Sequence, residues 1–299
     1  MMEAGDRNIS QRFVVFDGMH LPPFVPLMKD AKKRFEEIRD MECRKDDVII
    51  AAYSKSGTHW IWEIVCMLLK GRAEYAKETK EFLFLEAIPD MSVVHNLASP
   101  RPLNTHFPYR WLPKQHVQNG GKIVHIIRNP KDVAVSLYHQ LLQSGLFNDF
   151  NFKTFLDQMF LGPACPFGTW FKYEREFEEA EKNDKFGSIH TIHYENMKKN
   201  PEEETRKLAQ FLEVNTTEEL IAEIVDKCSF DKLKQIDSSF KDQSHLKRVI
   251  GAEGIKVPDI YRKGKIGDWK NHFTVALNEQ FDDIFKEEMK DSSIQVQFE

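Results

Sequence analysis

In the stretch VIIAAYSKSGTHWIWEIVCMLLK, Val48–Lys70, Lys55 sits between Ser54 and Ser56, and Gly57 and Thr58 follow. An apolar run precedes this turn and an apolar helical pattern succeeds it, so the turn joins a strand to a helix N-terminus. Such a corner aims free backbone N–H groups and the positive end of the helix dipole at one spot, where phosphates bind. Gly57 allows close approach of the backbone, Lys55 adds a full charge, and Ser56 and Thr58 add hydroxyl donors. The nucleoside-triphosphate loop G-x-x-x-x-G-K-[ST] is a different pattern: here the lysine precedes the only glycine of the turn. Taken alone, the turn reads equally as a phosphate cradle or as a plain polar corner.

Two further groups bear on that choice. Arg128 ends a second strand, KIVHIIR (Lys122–Arg128), and Ser136 lies about two turns into the helix after it. In a parallel sheet the strand C-termini share one edge, so Arg128 would face the same crevice as Lys55. Near the C-terminus, YRKGKIGDWKNHF gathers Arg262, Lys263 and Lys265 around Gly264. A basic, glycine-broken loop can close over a phosphate, although an isolated run of this kind is more simply a solvated charge cluster.

The elements that must position these residues alternate between β-rich runs and helical patterns. That order predicts an α/β fold: a mainly parallel central sheet flanked by helices, with a P-loop-like strand–turn–helix. Asp46–Tyr53 reads as a strand covered on both faces. Asn129, Pro130 and Asp132 mark one helix start, and Asn200, Pro201 and three glutamates mark another after the strand of SIHTIHYENM. Ser238 to Lys265 is polar and weakly periodic, a long excursion of the sort that often carries function. No strong linker interrupts the 299 residues, so a single domain over 1–299 is expected.

Composition narrows the function classes. A net charge of −5 gives no global field for nucleic acid, so any anion site must be a local cluster. No run of 18 apolar residues suggests a membrane span. Cys43, Cys66, Cys165 and Cys228 are scattered, without a metal or disulfide pattern. With a polar N-terminal stretch lacking signal-peptide regions, this predicts a cytoplasmic protein.

With YSKSGTHW, RNPKDVAVSLYH and RKGKIGDWKNHFT in this order and spacing, the sequence resembles the cytosolic sulfotransferases over roughly Phe16 to Phe298. That family uses 3′-phosphoadenosine 5′-phosphosulfate (PAPS) as donor. The resemblance implies that Lys55, Ser56, Gly57, Thr58, His59 and Trp60 hold the 5′-phosphosulfate, with Trp60 also against the adenine. It implies that Arg128, Ser136, Arg262, Lys263 and Gly264 grip the 3′-phosphate. Tyr194 matches a nucleotide contact, and Cys228, Ser229 and Phe230 match the segment lining the adenine. His106, in NTHFP, matches the catalytic base, which the eleven histidines alone would not have singled out. Lys270, Thr274, Val275 and Glu279 fit the short homodimer motif.

The implied reaction is sulfuryl transfer from PAPS to the hydroxyl or amine of a small hydrophobic acceptor. His106 would take the acceptor proton, and Lys55 would stabilise charge on the departing oxygen. A sulfuryl group carries less charge than a phosphoryl group, so no metal is expected. Phe24, Phe84, Phe107 and Phe147 are candidates for the acceptor pocket, with core packing the weightier role for each. The sequence departs from the family at Ser54 (usually proline), His59 (threonine or asparagine), Asn104 (often lysine) and Cys228 (threonine). Asn104 touches the electrostatic tuning of the base. A Mg–nucleotide enzyme and a non-catalytic binder of 3′-phosphonucleotides are the competing readings.

Overall fold

The computed structural model describes residues 13–145, 151–162, 164–240 and 258–299. Strands β1 (Val14–Phe16) and β2 (Met19–Leu21) form an antiparallel hairpin. Helix α1 (Val25–Arg39) leads to β3 (Val48–Ala52), and α2 (Thr58–Lys70) follows. Strands β4 (Pro102–Thr105), β5 (Lys122–Ile127) and β6 (Ile189–His193) complete the main sheet. Its order is β4-β3-β5-β6 and every pairing is parallel, as the alternating pattern predicted.

The side chains of β3 are buried on both faces. Ile49 and Ala51 join Leu103 and Ile123 in one core, whereas Val48, Ile50 and Ala52 join Val124 and Ile126 in the other. Ile61, Trp62, Ile64 and Val65 of α2 fill the second core and fix that helix against the sheet. The strand expected over Asp46–Tyr53 is shorter because Asp47 turns to Arg101, with Nε donating to Oδ1 at 2.7 Å and Nη2 to Oδ2 at 2.5 Å. Both side chains are buried, so the pair bolts the start of β3 to the approach of β4.

The helix Pro130–Ser144 begins as its sequence implies, with Asn129 Oδ1 accepting from the Lys131 N–H. Asp132 does more than meet the helix dipole. Its carboxylate accepts from the N–H groups of Gly267 and Trp269, tying the C-terminal segment to this helix. The helix Pro201–Leu212 also starts where expected, but without a side-chain cap from Asn200. Of the polar excursion Ser238–Lys265, residues 241–257 lie outside the described residues, as does Phe147.

Candidate active site

Parallel register brings the C-terminal ends of all strands in the main sheet to one edge. After β3 comes the Lys55 turn, after β4 His106, after β5 Arg128 and after β6 Tyr194. All of them line one cavity of about 310 Å³. Gly57, Thr58, His59, Trp60, Ser136, Cys228, Ser229, Phe230, Arg262, Lys263 and Gly264 line it too. Ser56 is fully buried within the turn and is not part of the lining.

Lys55 takes a left-handed φ of 71°, and Arg128 Nη1 holds its carbonyl at 3.0 Å. Gly57 has φ 102° and stands close to Tyr194: a Cβ there would meet ring atom Cδ2 at 2.8 Å. The glycine is therefore needed to seat the turn beneath Tyr194, as well as to expose backbone. Burial, together with Arg128, Lys80 and Arg262, pushes the Lys55 amine down to about 8. The hydroxyls of Ser56 and Thr58 and Nε of Arg128 are buried without a partner among the described residues.

Beside the turn, Trp60 meets Tyr194 edge to face at 5.6 Å, and the Arg128 guanidinium lies 4.3 Å from the Tyr194 ring. Gly264 packs against Phe230 so closely that a Cβ would fall 2.2 Å from its ring. Arg262 and Lys263 reach the cavity, yet both also hold Asp268, at 2.6 and 2.7 Å. His59 is likewise engaged: its Nε2 lies 2.5 Å from Glu81 Oε1. Burial pushes Glu81 up, but His59 and Lys80 outweigh that and hold it down at about 2.

His106 follows the last residue of β4. Its Nδ1 is 2.7 Å from the Ala52 carbonyl, which can only accept, so Nδ1 carries the proton and Nε2 is the basic nitrogen. Burial, then Lys80, hold the imidazole well below its ordinary range. Phe84 and Phe167 stand edge-on to the ring at 4.9 and 5.7 Å, and Phe24 packs on Phe84 at 5.5 Å. Phe107 is buried against Trp111 and is core, consistent with its weightier reading. Glu86 Oε1 accepts from Thr105 Oγ1 and from the N–H groups of His106 and Phe107, which fixes the backbone carrying the base.

The sulfotransferase domain matches residues 45–293. Sulfotransferase 1B1 of Canis lupus familiaris is 36% identical over 285 residues, covering 92% of this chain and 94% of that protein. Sulfotransferase 1E1 of Bos taurus is 34% identical over 280 residues, covering 90% and 92%. The crystal structure of mouse sulfotransferase SULT7A1 complexed with PAP superposes with a TM-score of 0.73 at 26% identity, covering 94% of this chain and 96% of that one. The chain belongs to the sulfotransferase family. In this sulfotransferase the cavity at the strand ends is therefore the candidate site of transfer.

Sequence reasoning missed several residues of that cavity. Lys198, one helical turn beyond Tyr194, places its ammonium 5.7 Å from the Trp60 ring and 5.8 Å from Phe230. The i, i+4 spacing from Tyr194 was the available signal. Tyr261 packs on Phe230 at 6.1 Å and adjoins the basic loop that was singled out. Away from the site, Thr274 caps the helix Val275–Glu288. Val275 is 76% exposed, Glu279 is exposed, and Lys270 is held by Glu299. Among the described residues no helix is long and apolar enough to cross a membrane.

Proposed function

We propose that this sulfotransferase transfers the sulfuryl group of PAPS to the hydroxyl or amine of a small hydrophobic acceptor. In this reading His106 is the general base and Lys55 the group that stabilises the leaving oxygen. The observation that carries it is the joint placement of Lys55 and the Ala52-anchored His106 on one cavity. With Nδ1 committed to a carbonyl, His106 presents an unprotonated Nε2 to an acceptor hydroxyl. Lys55, crowded by cations, gains from any negative charge that develops beside it.

The cavity fits the donor. The buried hydroxyl of Thr58, Nε of Arg128 and the first N–H groups of α2 are donors suited to phosphate and sulfate oxygens, whereas the Ser56 side chain lies behind the cavity lining. Trp60, Tyr194 and Phe230 offer aromatic faces for the adenine, with Cys228 and Ser229 beside them. Arg128, Ser136, Arg262, Lys263 and Gly264 would hold the 3′-phosphate. Arg262 and Lys263 would then share their charge between it and Asp268. His59, bound to Glu81, would contribute its backbone N–H and not its ring to the phosphosulfate. Phe84 and Phe167 flank the base with apolar surface, which favours an acceptor with an apolar body. The protein would act in the cytoplasm as a single-domain homodimer joined through Lys270, Thr274, Val275 and Glu279.

Radiolabelled PAPS offered with a panel of phenols, alcohols, steroids and amines tests this reading. A labelled product should form, and His106→Ala should lower its rate about 10²–10⁴-fold. Adenosine 3′,5′-bisphosphate bound tightly with no acceptor sulfated would replace the enzyme with a binder.

A further inference from the structure

Lys80 lies in the 3-10 turn Lys80–Leu83 and is only 3% exposed. Its Nζ donates to Asn104 Oδ1 at 2.9 Å and sits 4.4 Å from the centre of the Phe84 ring. Phe84 also meets the base, with its ring centre 4.9 Å from that of His106. Among the described residues no carboxylate lies in ion-pair contact with this ammonium. Glu81 is committed to His59, and Glu86 Oε1 to Thr105, His106 and Phe107. A buried cation without a contacting counter-charge opposes folding, and an apolar side chain of similar size would cost less.

Asn104 is arranged to hold that cation. Its Nδ2 donates to the carbonyls of Lys80 and Leu83, at 3.0 and 2.9 Å, which spends both amide protons on fixing the turn. Its Oδ1 is then free to face only the ammonium. Asn104 is fully buried two residues before the base.

We propose that Lys80 and Asn104 form one cationic unit whose ammonium, delivered across the sheet edge from the 3-10 turn, adds a positive charge beside His106 that favours its proton-accepting form. Lys80 is thus a positioning residue for the base, and the inference rests on His106 holding the role assigned above. The charged and titratable groups around the imidazole are Lys55 from the turn after β3, His59 from α2, Lys80 and Glu81 from the 3-10 turn, and Glu86 beneath the His106 N–H. Burial is the first cause that opposes a second proton on the ring, and Lys80 is the largest of the neighbouring charges that add to it.

The test pairs two measurements on the full chain. One is the titration of the His106 ring by NMR in histidine-labelled protein, assigned against His106→Ala. The other is the pH profile of kcat/KM for transfer from PAPS to a phenol or steroid. Lys80→Met removes both charge and hydrogen bond, whereas Lys80→Gln keeps a donor toward Asn104 and removes the charge alone. Both should raise the His106 titration by about one pH unit and carry the acid limb up with it, lowering kcat/KM about tenfold on that limb. An unmoved titration in Lys80→Gln overturns the proposal, and so does an effect confined to Lys80→Met. If Lys80→Met fails to fold, Lys80→Gln decides alone. If the wild type sulfates no acceptor, the catalytic reading fails, while the His106 titration still judges Lys80.

Discussion

In the proposed mechanism Lys55 is the residue on which donor handling and chemistry converge. Its amine is held at about 8 by burial and by the neighbouring cations. As pH rises through that value the ammonium is lost, so kcat/KM for the donor should fall above pH 8 in a steady-state profile. Bound donor anion favours the charged amine, so the corresponding limb in kcat should lie higher. Lys55→Met should cost about 10²–10³-fold in kcat, measured under saturating donor. The sign runs the other way at His106: its low affinity for a proton keeps it ready well below neutrality, so the acid limb should fall on the acidic side of the ordinary histidine range. The turn was legible because Lys55, Ser56, Gly57 and Thr58 are consecutive. The engagements of His59 with Glu81 and of Asn104 with Lys80 were not, since they span 22 and 24 residues through a turn without periodicity.

At the level of elements, the site depends on β3 and β4 ending side by side, because their ends deliver Lys55 and His106. The Asp47–Arg101 pair sets that alignment from the far end of the sheet. Arg101→Leu alone leaves a buried carboxylate without its cation and should cost about 3–5 kcal/mol in urea unfolding. The double variant with Asp47→Leu should cost less than the single one. Gly57→Ala should lower stability by about 1–3 kcal/mol and weaken donor binding, since it combines a left-handed φ with a clash against Tyr194. Calorimetry in the presence and absence of adenosine 3′,5′-bisphosphate checks both effects. Strands and helix starts could be read from apolar runs and from Asn129 and Pro130. The joint between Asp132 and the Gly267–Trp269 backbone could not, because it joins residues about 135 positions apart.

For the molecule as a whole, the donor should act as a clamp across α2, the helix Pro130–Ser144 and the basic loop. At a hundredfold excess over its Kd, adenosine 3′,5′-bisphosphate should raise the melting temperature by about 5 °C without added metal. In the proposed homodimer, Val275→Asp at the exposed start of the helix Val275–Glu288 should shift sedimentation towards monomer. Sedimentation of the wild type as a monomer, or no change in the variant, would overturn a subunit contact at Val275. The one-directional sheet has a practical corollary. Lys55, His106, Arg128 and Tyr194 all follow strand ends on the same rim, so the turn Asn119–Gly121, which feeds the start of β5, lies a full strand of roughly 20 Å from it. A fluorophore or surface tether on the exposed Asn119 should report on the enzyme while leaving turnover intact, whereas Gly120 and Gly121 leave no room for a side chain beside Phe186 and His116.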